Sequence, residues 1–190
     1  MATLPKVPVD TSVSDFLTNV YPKLSAEMAA SNPSASELSG CTITMVISVN
    51  GESYSYMVKD GTTVEFKAGE IEKPMLKLKM TKDELDKMIK TENLDMILGM
   101  QNGLNKAKYN ALNSLKGSFL AAVTDADGYV FNIDATLNNA EQPRSIFRMS
   151  AADSSALMRK DTNPVNLFMS GAMKIEGDMA FAMATQPLFS

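Results

Sequence analysis

The chain has 190 residues, 22 acidic against 18 basic, and a formal net charge of −4, so it is long enough to bury a sizeable core without disulfides or metals. An acidic balance with no run of Lys or Arg argues against a nucleic-acid surface. There is no histidine, which removes the usual general base, the Ser–His and Cys–His nucleophile pairs and most transition-metal sites.

Residues 1–10 carry two prolines and no apolar period, and read as a flexible tail. Residues 11–31 read as a helix, with Phe16, Leu17, Val20, Leu24 and Met28 at helical spacing and Pro22, which lacks an N–H, as its expected kink point. Asn32 and Pro33 end it, and residues 33–40 read as a loop. From Cys41 to Val49 apolar residues alternate with small polar ones, and Asn50-Gly51 is a strong hairpin signal. Tyr54, Tyr56 and Val58 mark the return strand, Val64 and Phe66 a third, and Leu76, Leu78 and Met80 a fourth. Three tight connections in a row predict an antiparallel meander.

The period then changes. Thr81 followed by Glu84 is a capping box that opens a helix with Leu85, Met88 and Ile89 on one face. Leu94, Ile97 and Leu98 predict a short helix, and residues 104–115 a further one. Strands are expected again over 118–123 and 129–137 and around Ile146 to Met149, after which Ser150 and Asp153 take the place of the earlier capping box. Residues 73–100 align without a gap with residues 142–169, pairing Met80 with Met149, Thr81 with Ser150, Leu98 with Leu167 and Met100 with Met169. Residues 11–190 are read as one domain, in which this alignment reflects either a degenerate internal repeat over 41–100 and 118–190 or chance similarity from a shared strand–cap–helix architecture.

The last segment is the most informative. Asn163 is an N-cap with Pro164 at the first helical position, and Gly171 stops a short helix carrying Leu167, Phe168 and Met169. Met173 and Ile175 alternate with Lys174 and Glu176 as a strand, Gly177 turns the chain, and Asp178 caps a final helix with Met179 and Met183 on one face.

The run from Phe168, Met169, Ser170 and Gly171 through Met173, Lys174, Ile175, Glu176, Gly177, Asp178 and Met179 resembles the C-terminal signature of the sterol-carrier-protein type 2 family, F-M-S-G-K-L-K-I-x-G-D-M. The resemblance implies an α+β fold: a mostly antiparallel sheet with helices packed over one face and an apolar tunnel between the layers for a fatty acid, acyl-CoA or sterol. It also implies that the C-terminal segment helps to close the tunnel. Three features depart from the pattern. The chain is far longer than one such domain, Ala172 replaces the usual Lys, and Leu98-Gly99-Met100-Gln101 stands where a first-half signature would fall.

Composition and resemblance together predict a protein that is not an enzyme. It binds and carries an apolar small-molecule ligand, a lipid, with no cofactor, no metal, no nucleic-acid partner and no transmembrane segment. The expected ligand-binding residues are Phe147, Leu157, Phe168, Met169, Met173, Ile175, Met179, Phe181, Met183 and Phe189. Fifteen methionines and no tryptophan fit either ordinary core filling or an adaptable cavity wall. The single cysteine, Cys41, and the absence of a long apolar run at the start predict a cytoplasmic protein, with Cys41 unpaired on an apolar strand face beside Ile43 and Met45. The alternative is a structural or protein-interaction domain acting as a homo-oligomer, with a homodimer as one such state. The carboxylate pairs Asp83/Glu84 and Asp125/Asp127 fall at a cap and a turn, so catalysis ranks third.

Overall fold

Asn50 and Gly51 both adopt positive φ, 49° and 85°, as a tight two-residue hairpin requires. They join β1 (Thr42–Val49) to its antiparallel neighbour β2 (Glu52–Lys59). Asp60 and Gly61 make the next turn, also with positive φ, into β3 (Thr63–Ala68), antiparallel to β2. The meander stops there. β4 (Leu76–Met80) pairs with β1 in parallel, Met45 opposite Leu76 and Val49 opposite Met80. The connection from Gly69 to Met75 crosses the back of the sheet, held by side chains of the strands beneath it. Ser55 Oγ donates to Gly69 O (2.7 Å) and accepts from Ile71 N (3.0 Å), and Thr44 Oγ1 accepts from Met75 N (2.9 Å).

The computed structural model describes residues 4–190 of the chain. β5 (Gly117–Thr124), β6 (Val130–Leu137), β7 (Arg144–Ser150) and β8 (Lys174–Gly177) complete one eight-stranded sheet of order β3-β2-β1-β4-β6-β5-β7-β8. The β1–β4 and β5–β7 pairs are parallel and the others antiparallel. The sheet is thus mostly antiparallel, but not a succession of hairpins.

The two halves share an order. β5 and β6 form a hairpin with β7 parallel to β5, as β1 and β2 form one with β4 parallel to β1. The caps Thr81 and Ser150 open α3 (Lys82–Lys90) and α6 (Ala151–Met158), and α4 (Asp95–Leu98) and α7 (Pro164–Met169) follow at the same spacing. Beyond this point the halves diverge. α5 (Lys106–Ser114) stands where β8 stands in the second half, and β6 pairs antiparallel with β4 as β8 does with β7. Each half borrows a strand from the other, so the two merge into one sheet.

The register puts Phe66, Tyr56, Met45, Leu76, Leu137, Phe119, Ala121, Phe147 and Ile175 on one continuous apolar face. The opposite face carries ion pairs: Lys77–Glu70 at 2.8 Å, Arg144–Asp134 at 2.8 Å and Arg148–Glu176 at 3.2 Å. The helices lie over the apolar face. The capping box at Thr81 is complete, and the second carboxylate oxygen of Glu84 accepts from Asn132 N (3.0 Å), which ties α3 to β6. Glu84 therefore has a structural job, which accounts for one of the two carboxylate pairs.

Several details differ from the sequence expectation. The first helix runs from Val13 to Ala30 as α1 (Val13–Asp15), a π-turn (Phe16–Val20) and α2 (Tyr21–Ala30). Pro22 has no N–H to give, and the wider π-turn just before it accommodates the missing bond. Residues 35–38 form a 3-10 turn that buries Leu38. Val7 is buried and Leu4 packs on the core, so residues expected to be a tail contribute apolar contacts. Cys41 is free and buried just before β1, with Lys106 Nζ 3.1 Å from its sulfur.

Candidate functional site

Strand side chains on the apolar face meet the helical layer around a cavity beneath the second half of the sheet. Phe119, Ala121 and Val123 of β5, Ile133 of β6, Phe147 and Met149 of β7 and Ile175 of β8 form its floor. Met96 of α4, Leu157 and Met158 of α6, Phe168 of α7 and Phe189 near the C-terminus form its roof. Six of the lining residues are methionines: Met96, Met100, Met149, Met158, Met173 and Met183. Phe119, Phe147 and Phe189 meet edge to face, with ring centres 5.4 to 6.2 Å apart. The cavity is about 50 Å³, room for water-sized molecules only, whereas pockets for small-molecule ligands span roughly 300–1,000 Å³. The tunnel expected between the layers is therefore not open in this conformation. Between the layers lies only this small cavity, lined by apolar side chains.

Of the ten residues expected to hold ligand, Phe147, Leu157, Phe168, Met173, Ile175, Met183 and Phe189 line this cavity. Three do not. Met169 is 79% exposed and Met179 44% exposed, both pointing to solvent. Phe181 is buried against the backbone end of β5, where a Cβ on Gly117 would lie 2.5 Å from its ring. The last helix, α8 (Met179–Ala184), thus turns Phe181 and Ala182 inward rather than its two methionines, and Met183 sits half-exposed at the cavity rim. Asp178 caps it as expected, accepting from Phe181 N at 2.7 Å. A 3-10 turn (Gln186–Phe189) then buries Leu188.

Sequence reasoning missed the contribution of the first half. Leu78, Met96 and Met100 reach the cavity because β4 joins β6 and α4 packs on α6. Gly99 permits that packing, since a Cβ there would fall 2.4 Å from Met158 Cβ. Polar contacts hold the two helices together. Asp95 accepts from Ser155 Oγ and pairs with Arg159 at 2.9 Å, while Asn102 Nδ2 donates to Met158 O at 2.8 Å.

A second cavity, of about 40 Å³, lies beneath the first half of the sheet. Ile43, Met45, Tyr56, Val58 and Leu76 form its sheet side, and Tyr21, Leu104, Leu112 and Leu188 close it. Met100 lines both cavities. Lys108, on α5, also lines the second cavity and is only 3% exposed. Its ammonium donates to Asn102 O at 2.9 Å, and no carboxylate pairs with it among the described residues. Burial, helped by the charge of Lys160, pushes its pKa from 10.5 down to about 7. The sequence held a signal for this residue, because Lys108 shares a helical face with Leu104, Ala111, Leu112 and Leu115.

Among the described residues there is no cluster of three or more His, Cys, Asp or Glu placed to hold a metal, and no helix long and apolar enough to cross a membrane. A sheet roofed by helices around small apolar, methionine-containing cavities defines the class as an α+β domain. Residues 100–190 match the model of the SCP-2 sterol transfer family. Solved structures similar to the chain include apo sterol carrier protein 2 from Yarrowia lipolytica, 18% identical over 42% of this chain and 76% of that one, with a TM-score of 0.33. Sterol carrier protein domain 2 of Helicoverpa armigera is 26% identical over 42% and 70%, with a TM-score of 0.35. Sterol carrier protein 2-like 2 from Aedes aegypti is 16% identical over 41% and 84%, with a TM-score of 0.30. No curated protein matches the chain significantly.

Proposed function

We propose that this protein is a cytoplasmic, non-catalytic carrier that holds a lipid in the cavity between the second half of its sheet and the helices above. The observation that carries this reading is the lining itself: six methionines, of which all but Met96 lie, with a cluster of three phenylalanines, on the segment that matches the SCP-2 sterol transfer family. Thioether side chains are unbranched and polarizable, so they can swing aside and repack around a guest. Each methylene transferred from water into such a site gains about 0.8 kcal/mol. A long acyl chain therefore needs few polar contacts, and the wall offers few beyond Ser154, Thr185 and Gln186. The shared order of the two halves supports reading the first as a degenerate copy that contributes Leu78, Met96 and Met100 to the wall.

The test is a titration of the delipidated full chain with a fluorescent fatty acid, followed by displacement with unlabelled hexadecanoic acid. Saturable, displaceable binding at one site per chain is expected. Signal that rises without saturation, or that hexadecanoic acid does not displace, would count against lipid carriage.

A further inference from the structure

The second cavity has a composition that the core of a folded domain does not need. Its walls are mostly aliphatic and aromatic, with Ser25 and Gln101 hydrogen-bonded to each other and Thr44 also in the lining, yet they include a lysine with 3% exposure. An ammonium has three donors, and Lys108 uses one on the carbonyl of Asn102. Tyr21 is 1% exposed and lines the same cavity. The other tyrosine there, Tyr56, donates to Leu17 O. Burying a cation without a counter-ion is costly, and cores normally avoid it or pair it. Between this cavity and the larger one stands Met100, which lines both, and the neighbouring residues Leu188 and Phe189 line one cavity each.

We propose that the two cavities are the two ends of one site for a fatty acid, with the carboxylate paired to Lys108 beneath the first half of the sheet and the acyl chain running past Met100 into the larger cavity. This rests on the lipid-carrier reading and adds the head group, the ligand's direction and a role for the first half. The chemistry selects a single-chain monoanion. One buried ammonium with a tyrosine hydroxyl in the same cavity balances one carboxylate, whereas a coenzyme A thioester would bring several phosphate charges into an apolar enclosure. A sterol would leave the ammonium unpaired. Met100 is the side chain the two compartments share, and rotamer changes cost little for an unbranched side chain.

Charge on Lys108 is also poised to respond to the guest. The groups around it are Lys160, whose charge disfavours a second ammonium, and the neutral phenols Tyr21 and Tyr56 across the cavity. An arriving carboxylate is the missing partner that favours the protonated amine.

The experiment compares hexadecanoic acid with methyl hexadecanoate on the delipidated full chain, for the native protein, Lys108→Met and Met100→Trp. The native protein should prefer the acid to the ester by at least tenfold at pH 7. Lys108→Met, which keeps the stem and removes the charge, should bind acid and ester alike. Met100→Trp should weaken both ligands. In addition, the ¹³C-carboxyl resonance of bound [1-¹³C]hexadecanoic acid should titrate at lower pH in the native protein than in Lys108→Met, a readout that altered folding alone does not reproduce. Equal affinity of the native protein for acid and ester, or an acid preference that survives Lys108→Met, would overturn the head-group assignment while leaving lipid carriage intact. Failure of both ligands to bind the native protein would overturn both.

Discussion

Ala121→Leu places a larger side chain where the proposed ligand should lie. Ala121 sits between Ile133 of β6 and Phe147 of β7 in the sheet, on the floor of the cavity of about 50 Å³. A leucine adds three carbons, whose burial contributes about 2.4 kcal/mol at ~0.8 kcal/mol each. Overpacking against neighbours that must shift costs roughly 1–3 kcal/mol. The two nearly cancel, so the melting temperature of the delipidated protein should move by less than about 5 °C. The ligand has no such compensation. An acyl chain denied the space of three carbons loses about 2.4 kcal/mol, roughly 50-fold in affinity. Thermal melting and displacement of a fluorescent fatty acid measure the two effects side by side. A folded Ala121→Leu protein with native affinity would refute the placement of the chain in this cavity.

Phe189→Ala removes the ring that packs on Phe119 and Phe147 and should raise the fatty-acid release rate about tenfold in stopped-flow experiments, with edge-to-face losses of roughly 0.5–1.5 kcal/mol per pair in stability. Gly117→Ala forces a Cβ to within 2.5 Å of the Phe181 ring and should destabilise the fold by about 1–3 kcal/mol in denaturant titration, with Gly117→Ala/Phe181→Leu recovering part of the loss. The depressed pKa of Lys108, about 7 against 10.5, means that the unfolded chain binds more protons between those values, so stability rises with pH across that window. Lys108→Met should flatten this rise between pH 7 and 9 and raise the melting temperature most at pH 7; an unchanged slope would show that Lys108 is not the group responsible.

The local chemistry of the fold was legible in the sequence, and its long-range pairing was not. The Asn50-Gly51 hairpin, the Thr81 capping box, the Asn163-Pro164 helix start and the Asp178 cap each depend on residues within a few positions of one another. The placement of β4 depends on Ser55 and Thr44 holding a crossover from distant strands, and no spacing rule along the chain encodes that. The same holds for the site. Seven lining residues were named in advance, Phe168, Met173 and Ile175 within the C-terminal signature and Phe147, Leu157, Met183 and Phe189 beside it, but Leu78, Met96 and Met100 enter through the junction of β4 with β6, which exists only in the joined sheet. Met179 and Met183 match the helical period as well as Phe181 and Thr185 do, and the inward face is decided by Gly117, which leaves room for the Phe181 ring. Lys108 lay in plain view on an apolar helical face, as an exception to a pattern rather than as a motif.

Native mass spectrometry of the full chain tests lipid carriage most directly, first as purified from cells, then after delipidation and addition of hexadecanoic acid. One stoichiometric lipid adduct per chain is expected at both stages, sharply reduced in Ala121→Leu. A chain that carries no adduct from cells and takes up none from added hexadecanoic acid would contradict the assignment of this cavity to a lipid.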